Sequence, residues 1–204
     1  MADPSYIDPA TNVLTDGEAW VGIATTTLGS DTATVTFTST DDGQVGDFSQ
    51  YMDLVIVSYA RSVRVDYDDS LSALFNGDTA AESQYTVQMI QGRLTTVTAT
   101  ATTSGGDGVA GTLGFIPSSL GTANVFGVAV STFFDVNSGK YKSWVSQSAT
   151  NTGSAAYGGT VRLQAGVYKK QAPITVIKLF PGYGSDLLSG SMFSLFGVLP
   201  RMVA

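Results

Sequence analysis

Short runs of hydrophobic residues, separated by glycine-rich turns, follow one another along most of the chain. Residues 32–39 alternate strictly between apolar and threonine positions, the period-two pattern of a half-buried strand. Residues 51–60 contain the continuous apolar run Leu-Val-Ile-Val, which is typical of a strand covered on both faces. Strand patterns also cover residues 20–28, 73–75, 85–91, 94–102, 125–134, 141–148, 161–167, 174–180 and 191–198.

Turn-forming residues lie between these runs. Asn76-Gly77-Asp78 and Asn137-Ser138-Gly139 combine residue types that tolerate positive φ, and the second predicts a hairpin. No segment predicts a long helix, although residues 66–74 could form one helical turn. About ten strands with short connections predict an all-β fold, an antiparallel two-sheet β-sandwich of jelly-roll-like layout.

Residues 1–18 differ from the rest of the chain, because they carry two prolines and no hydrophobic period. We predict an extended N-terminal arm over 1–18, followed by a single β-sandwich domain over 19–204. Tyr6, Ile7, Val13 and Leu14 would give this arm apolar surface to bury against a partner; the alternative is an unordered terminus. The arm has no basic region and no apolar core, so a classical signal peptide is not predicted.

The composition excludes several kinds of chemistry. The chain has no cysteine and no histidine, which excludes disulfides, zinc fingers and Ser-His-Asp or Cys-His catalysis. Its two glutamates, Glu18 and Glu82, do not lie in the aromatic-rich strand sequence expected of a sugar-cleaving cleft. We therefore expect no enzymatic activity and no cofactor.

The charge balance argues against two classes of partner. The chain has 17 acidic and 10 basic residues, a net charge of −7, which disfavours binding to nucleic acid or to an anionic membrane. Only 13% of the residues are charged, about half the usual share. A surface with so little charge suits a protein packed among neighbours, although many secreted β-proteins share it.

Two groups of aspartates invite comparison with calcium sites, which use oxygen ligands from flexible loops. Neither group has the spacing of an EF-hand, and solvated turn residues are the alternative interpretation, so no metal is assigned. The groups are Asp41, Asp42 and Asp47, and Asp66, Asp68 and Asp69.

Aromatic and basic residues in the C-terminal part could serve binding. Aromatic side chains beside small polar residues can form sugar platforms or protein interfaces, but they also pack inside sandwiches. Seven of the ten basic residues lie in the last third of the chain. This charge asymmetry suggests contact between like subunits, and the alternative is that it arose by chance. The aromatic candidates are Tyr141, Trp144, Tyr157, Tyr168 and Tyr183.

Three stretches, taken in order, resemble tailed-bacteriophage structural proteins. They are Tyr59-Ala60-Arg61-Ser62, then Phe75-Asn76-Gly77-Asp78-Thr79 followed shortly by Tyr85, and finally residues 190–198, which read GSMFSLFGV. None of the three is a catalytic motif. Their order along the chain from about Trp20 onward carries the resemblance.

The resemblance implies a virion protein on the capsid surface, of the capsid decoration (cement) type. Such a protein stabilises the head by bridging subunits of the major capsid protein, is commonly a homotrimer, and often uses an N-terminal arm that pairs with the coat lattice. This would give Tyr6, Ile7, Val13 and Leu14 a capsid-binding role.

Two alternatives remain open from the sequence. The first is a receptor- or glycan-binding module of a tail fibre or spike, which a groove of exposed aromatic side chains would favour. The second is a secreted enzyme or lectin domain of a different origin.

Overall fold

The computed structural model describes residues 7–8, 13–14, 20–79, 84–102, 110–155 and 157–199. For residues 7–8, 13–14 and 102 the description covers the backbone alone. No helix within these ranges is long and apolar enough to cross a membrane.

Strands make up nearly all the regular structure of the described residues. One short 3₁₀ helix, Phe48–Gln50, is capped by Asp47, whose carboxylate accepts the N–H of Ser49 at 2.9 Å. The strands are β1 Ile7–Asp8, β2 Val13–Leu14, β3 Trp20–Thr27, β4 Val35–Thr38, β5 Asp53–Ala60, β6 Asp68–Phe75, β7 Tyr85–Arg93, β8 Thr96–Thr102, β9 Gly111–Pro117, β10 Gly127–Phe134, β11 Lys142–Asn151, β12 Gly159–Tyr168, β13 Val176–Pro181 and β14 Met192–Val198.

The strands form two facing antiparallel sheets and a small separate ribbon. The large sheet has the order β3-β14-β5-β10-β11-β12-β7-β8, and the small sheet has the order β4-β13-β6-β9. Without the hairpins β7–β8 and β11–β12, the two sheets keep eight strands. If these eight are numbered in chain order, the large sheet has the order 1-8-3-6 and the small sheet has the order 2-7-4-5. This is the jelly roll, so the predicted all-β, two-sheet antiparallel sandwich is confirmed.

The two additional hairpins lengthen one sheet only. β11–β12 follows β10 along the chain and joins its free edge, and β7–β8 joins the edge of β12. The large sheet consequently has twice as many strands as the small sheet, and it extends beyond β9 at the end that carries β8.

The core between the sheets is centred on an aromatic cluster. The ring of Phe75 lies 5.3 to 6.0 Å, centroid to centroid, from the rings of Phe133, Tyr168, Tyr85 and Trp144. All five side chains are buried. Tilted and edge-on ring pairs of this kind add about 0.5–1.5 kcal/mol each beyond the apolar area they bury.

Most predicted strands are present, and the differences have physical causes. Residues 66–74 form no helical turn: β6 runs over Asp68–Phe75 between β13 and β9, and its neighbours satisfy its backbone. The sequence pattern does not predict β9, because its two glycines and terminal proline are typical of a turn. The structure needs Gly114 there, since a Cβ would lie 2.5 Å from the Cβ of Ser148.

The N-terminal arm is described only in part. Ile7 pairs with Leu14 and Asp8 with Val13 in a two-stranded antiparallel ribbon, β1–β2. Tyr6 lies outside the described residues, as do Glu18 and Glu82. The capsid-binding role of the arm and the division at residue 19 stay predictions.

Candidate functional site

One side of the large sheet is the main candidate for a binding surface. Its side chains point away from the small sheet, and we call this side the outer face. Eleven of the 17 exposed large hydrophobic side chains in the described part of the chain lie on it. They are Trp20, Tyr59, Ile90, Val97, Val128, Val130, Phe134, Val145, Val161, Leu163 and Met192.

Strand pairing places these side chains in continuous rows. Val130 lies opposite Val57 on one side and Gln147 on the other, and Gln147 lies opposite Leu163, which pairs with Ile90. Side chains directly opposite one another in a sheet lie about 5 Å apart. The exposed residues therefore form one surface that runs across the sheet.

The hydrophobic pattern of β12 is inverted relative to that of an ordinary sandwich strand. Its outward residues Val161 and Leu163 are 65% and 46% exposed, whereas Arg162 and Gln164 point inward and are 6% and 1% exposed. Apolar side chains normally occupy the covered face of such a strand. An inverted strand leaves its apolar surface available to a partner.

The outer face carries almost no charge. Its outward positions on the described strands contain no lysine, arginine or glutamate. Its one carboxylate, Asp53, lies at the start of β5, where it is buried and accepts the N–H of Asp135 at 2.7 Å. A protein surface depleted of charge and rich in apolar side chains has the composition of an interface core.

Aromatic pairs bound the outer face near β14. The ring of Trp20 lies 5.8 Å from that of Phe196, and the rings of Tyr59 and Phe126 stack at 5.1 Å. Val55, directly opposite Phe196 on β5, is fully buried. These rings give this end of the surface a preformed shape.

The size of the outer face matches that of a protein interface. Eight strands at about 4.8 Å spacing span roughly 34 Å, and strands of seven to ten residues are roughly 23–33 Å long. The resulting footprint of roughly 800–1,100 Å² is at least what each partner contributes to a standard protein–protein interface.

The charged side chains gather instead on the opposite side of the extended sheet. The guanidinium of Arg162 lies 3.1 Å from the ring centroid of Phe115 and donates from Nε to the side-chain oxygen of Gln91 at 2.6 Å. Burial, and then the neighbouring Arg93, lower the pKa of Arg162 to about 10. Burial raises the pKa of Asp68 although it forms an ion pair with Arg93. This cluster fastens the two sheets together.

A groove at one end of the sandwich is the second candidate surface. Its volume is about 470 Å³. The ring of Tyr67 on its wall stacks on that of Tyr157 at 5.0 Å, and Arg93 lies 5.0 Å from the centroid of Tyr157. The groove is lined by Tyr67, Leu120, Gly121, Thr122, Thr152, Gly153, Ser154 and Ala155.

The structure separates the aromatic residues that the sequence singled out. Trp144 and Tyr168 are buried in the core, whereas Tyr141 and Tyr183 are exposed and Tyr157 lies half-buried beside the groove. The five do not form one platform. Of the basic residues in the last third, Lys142 and Arg162 are buried, so that part of the chain does not expose all its positive charge.

The aspartates of both groups bond to nearby backbone N–H groups or to single side chains. Asp47 accepts from the N–H groups of Gly43 and Ser49, both at 2.9 Å, and Asp42 accepts from the N–H of Gln44 at 2.9 Å. Asp66 pairs with Arg64 and Asp69 accepts from the hydroxyl of Ser185. Among the described residues, no three acidic side chains come together as metal ligands would.

The three stretches 59–62, 75–79 and 190–198, singled out in the sequence, stabilise turns and loops. The guanidinium of Arg61 donates to the carbonyl oxygens of Ser118 at 2.7 Å and Val125 at 2.9 Å, which anchors the β9–β10 connection. Asn76, at a φ of 53°, accepts from the N–H of Thr175 at 2.8 Å. The backbone N–H of Arg61 donates to the hydroxyl of Ser191 at 3.2 Å, so the first and last motifs are in contact.

The face assignment is what sequence reasoning missed. The pattern predicts strands over residues 125–134, 141–148 and 161–167, but it does not decide which side of each strand is covered. In β12, Arg162 and Gln164 alternate with the apolar residues Val161 and Leu163, and the alternation does not assign either set to the core. The structure covers Arg162 and Gln164 and exposes the apolar pair.

No protein-family model matches the chain. No curated protein matches it. Among solved structures, the chain is similar to the Ruminococcus gnavus IT-sialidase CBM40 bound to α2,3-sialyllactose, with 12% identity and a TM-score of 0.33 over 85% of this chain and 91% of that one. The same module bound to α2,6-sialyllactose gives 10% identity and a TM-score of 0.36 over 89% and 95% of the two chains. These TM-scores are too low to carry an argument about function.

Proposed function

We propose that this chain is a non-catalytic structural protein of a tailed-phage virion, of the capsid decoration type. It stabilises the head by bridging subunits of the major capsid protein. The observation that carries the proposal is the uncharged, apolar outer face, together with the inverted strand β12 that helps to build it. The three stretches of the sequence that resemble tailed-phage structural proteins support the assignment to a virion.

Leaving this apolar surface in water costs free energy, which binding to a partner recovers. Burying apolar area contributes about 25 cal/mol per Å², and a broad continuous patch on a protein surface marks a site of contact with another molecule. Because Asp53, the one carboxylate of the outer face, is already buried and hydrogen-bonded, a partner can cover this face without desolvating an exposed charge. A shell protein that acts by contact needs this kind of surface.

Two further parts of the proposal rest on the resemblance. The arm residues Tyr6, Ile7, Val13 and Leu14 would add a strand to the edge of a coat subunit, which provides backbone hydrogen bonds without special side chains. The homotrimer that the resemblance implies stays a prediction.

The location of the chain on the particle tests the proposed function. An antibody raised against the chain is bound to purified virions of the phage that encodes it, and gold-labelled complexes are viewed by electron microscopy. We expect label on the heads, and we expect heads from a gene-deleted phage to carry no label and to open at a lower temperature. Absence of the chain from purified virions would overturn the proposal.

The groove beside Tyr67 supports a second candidate, a glycan- or receptor-binding module of a tail fibre or spike. An aromatic ring next to threonine and serine hydroxyls offers the stacking surface and hydrogen-bond partners that a sugar ring uses. In the same experiment this function predicts label on the tail or its fibres and none on the heads.

A further inference from the structure

The edge strand β8 could pair with a further strand. It pairs with β7 from Val87↔Thr102 to Arg93↔Thr96 without a register shift, and no described strand pairs with its other edge. Its side chains from Thr96 to Ala101 are exposed, and Val97 is 76% exposed. The strand therefore projects from the sandwich with both faces uncovered.

This edge lacks the devices that natural sheets use against pairing. Its sequence is Thr-Val-Thr-Ala-Thr-Ala-Thr, with no charge, proline, glycine or bulge. Natural proteins usually blunt a free edge with one of these, because its unpaired N–H and C=O groups can bind another strand. A regular, uncharged edge rich in β-branched residues is suited to accept one.

We propose that β8 pairs antiparallel with β8 of a second copy of this chain, about a twofold axis at Ala99. In this register Ala99 lies opposite its own copy, Val97 lies opposite Ala101, and Thr98 lies opposite Thr100. Threonine meets threonine on one face and apolar residues meet on the other, and such cross-strand pairs are favourable. The pairing would add about six backbone hydrogen bonds.

The side to which alternate residues of β8 point supports a second copy as the partner. Val97, Ala99 and Ala101 belong to the outer face, because they pair with Gly92, Ile90 and Gln88. A twofold axis perpendicular to the sheet keeps the outer faces of both copies on the same side. The two outer faces would then join into one surface of twice the width, whereas an unrelated strand would add no such continuation.

This inference goes beyond the proposed function, since it holds for the isolated protein whether or not the chain belongs to a virion. It also differs from the homotrimer that the resemblance implies. The mass in solution distinguishes the two assemblies.

The first test is the mass of the full chain by light scattering with size-exclusion chromatography. We expect a dimer, twice the chain mass of 21.2 kDa. Ala99→Lys would place two lysines opposite one another at the axis and is expected to give a monomer at the same loading concentration. The matched control is Ala165→Lys, which adds the same charge to an exposed outer-face position on β12 and should stay dimeric.

The second test uses the absence of cysteine from the chain. Directly opposite residues of antiparallel strands have Cα atoms about 4.5–5.5 Å apart, within disulfide range. Ala99→Cys should therefore oxidise to a covalent dimer and Ala165→Cys should not. A trimeric mass, a monomeric parent chain with uncross-linked Ala99→Cys, or cross-linking through Ala165→Cys would each overturn the inference.

Discussion

At the scale of single residues, Trp144 shows how closely the two sheets approach. Its ring lies over the backbone of both β9 and β12: a Cβ on Gly111 would lie 2.6 Å from the ring, and one on Gly166 would lie closer still. Glycine is required at these positions because no side chain fits between backbone and indole. The same ring packs edge-on against Phe75 at 6.0 Å, so it links the glycine contacts to the aromatic core.

Gly166→Ala tests this packing. The added methyl group must displace a buried ring, and overpacking of this kind costs about 1–3 kcal/mol of unfolding free energy. Gly92→Ala is the control, because on the neighbouring strand β7 nothing lies within 4 Å of the position that its added methyl group would take. Urea denaturation should show a large loss for the first variant and a change below about 0.5 kcal/mol for the second. Equal effects would show that Trp144 does not lie where the structure places it.

At the scale of elements, β12 shows where sequence patterns stop being informative. Its existence and extent follow from alternation and β-branched residues, and the predicted 161–167 lies within Gly159–Tyr168. Which face is covered does not follow, because alternation gives two sets of residues and no direction. For β9 and β6 the prediction fails for another reason. Glycines in β9 and acidic residues in β6 weaken the strand pattern, and pairing with neighbours in the small sheet decides the conformation.

Leu163→Thr tests the inverted pattern. Because Leu163 is exposed on the outer face, we expect a change of less than about 0.5 kcal/mol in unfolding free energy. The comparison is Leu113→Thr on β9, where the side chain is fully buried and the change should cost about 3 kcal/mol. Similar losses in the two variants, measured by denaturant unfolding, would mean that Leu163 is covered in the isolated chain.

At the scale of the whole molecule, the two hairpins added to the jelly roll double the number of strands in the large sheet. They also supply Tyr85, Trp144 and Tyr168 to the aromatic core. The small sheet covers only part of the large sheet. At its edge strand β9, the contact between Phe115 and Arg162 of β12 holds the two sheets together. Where the large sheet extends beyond β9, the added strands enlarge the outer face. An architecture of this kind fits a protein that acts by covering and connecting neighbours.

A pair of substitutions on the outer face tests that view. Val130→Lys with Val145→Lys introduces two charges near the middle of the outer face, and burying them unpaired should weaken binding to heads assembled without the chain by at least about 100-fold. Thr36→Lys with Thr38→Lys adds the same charge to exposed positions of β4 on the small sheet and should bind as the parent does. Binding is measured by co-sedimentation with the heads. Equal affinity of the two double variants would contradict a role for the outer face.

The sequence by itself determined the all-β class, most strands, the turns at Asn76-Gly77 and Asn137-Ser138-Gly139, and the exclusion of cysteine and histidine chemistry. These properties depend on local periodicity, on turn-forming residue types and on composition, all of which can be read from the sequence directly. In the β10–β11 turn the positive φ falls at Asp135, two residues before Asn137. Only the tertiary structure decided that β7–β8 and β11–β12 extend one sheet, that Arg162 and Gln164 point inward, and that no other described strand pairs with the outer edge of β8. These depend on contacts between residues far apart in the sequence, and the local pattern leaves either side of a strand open to become the covered one.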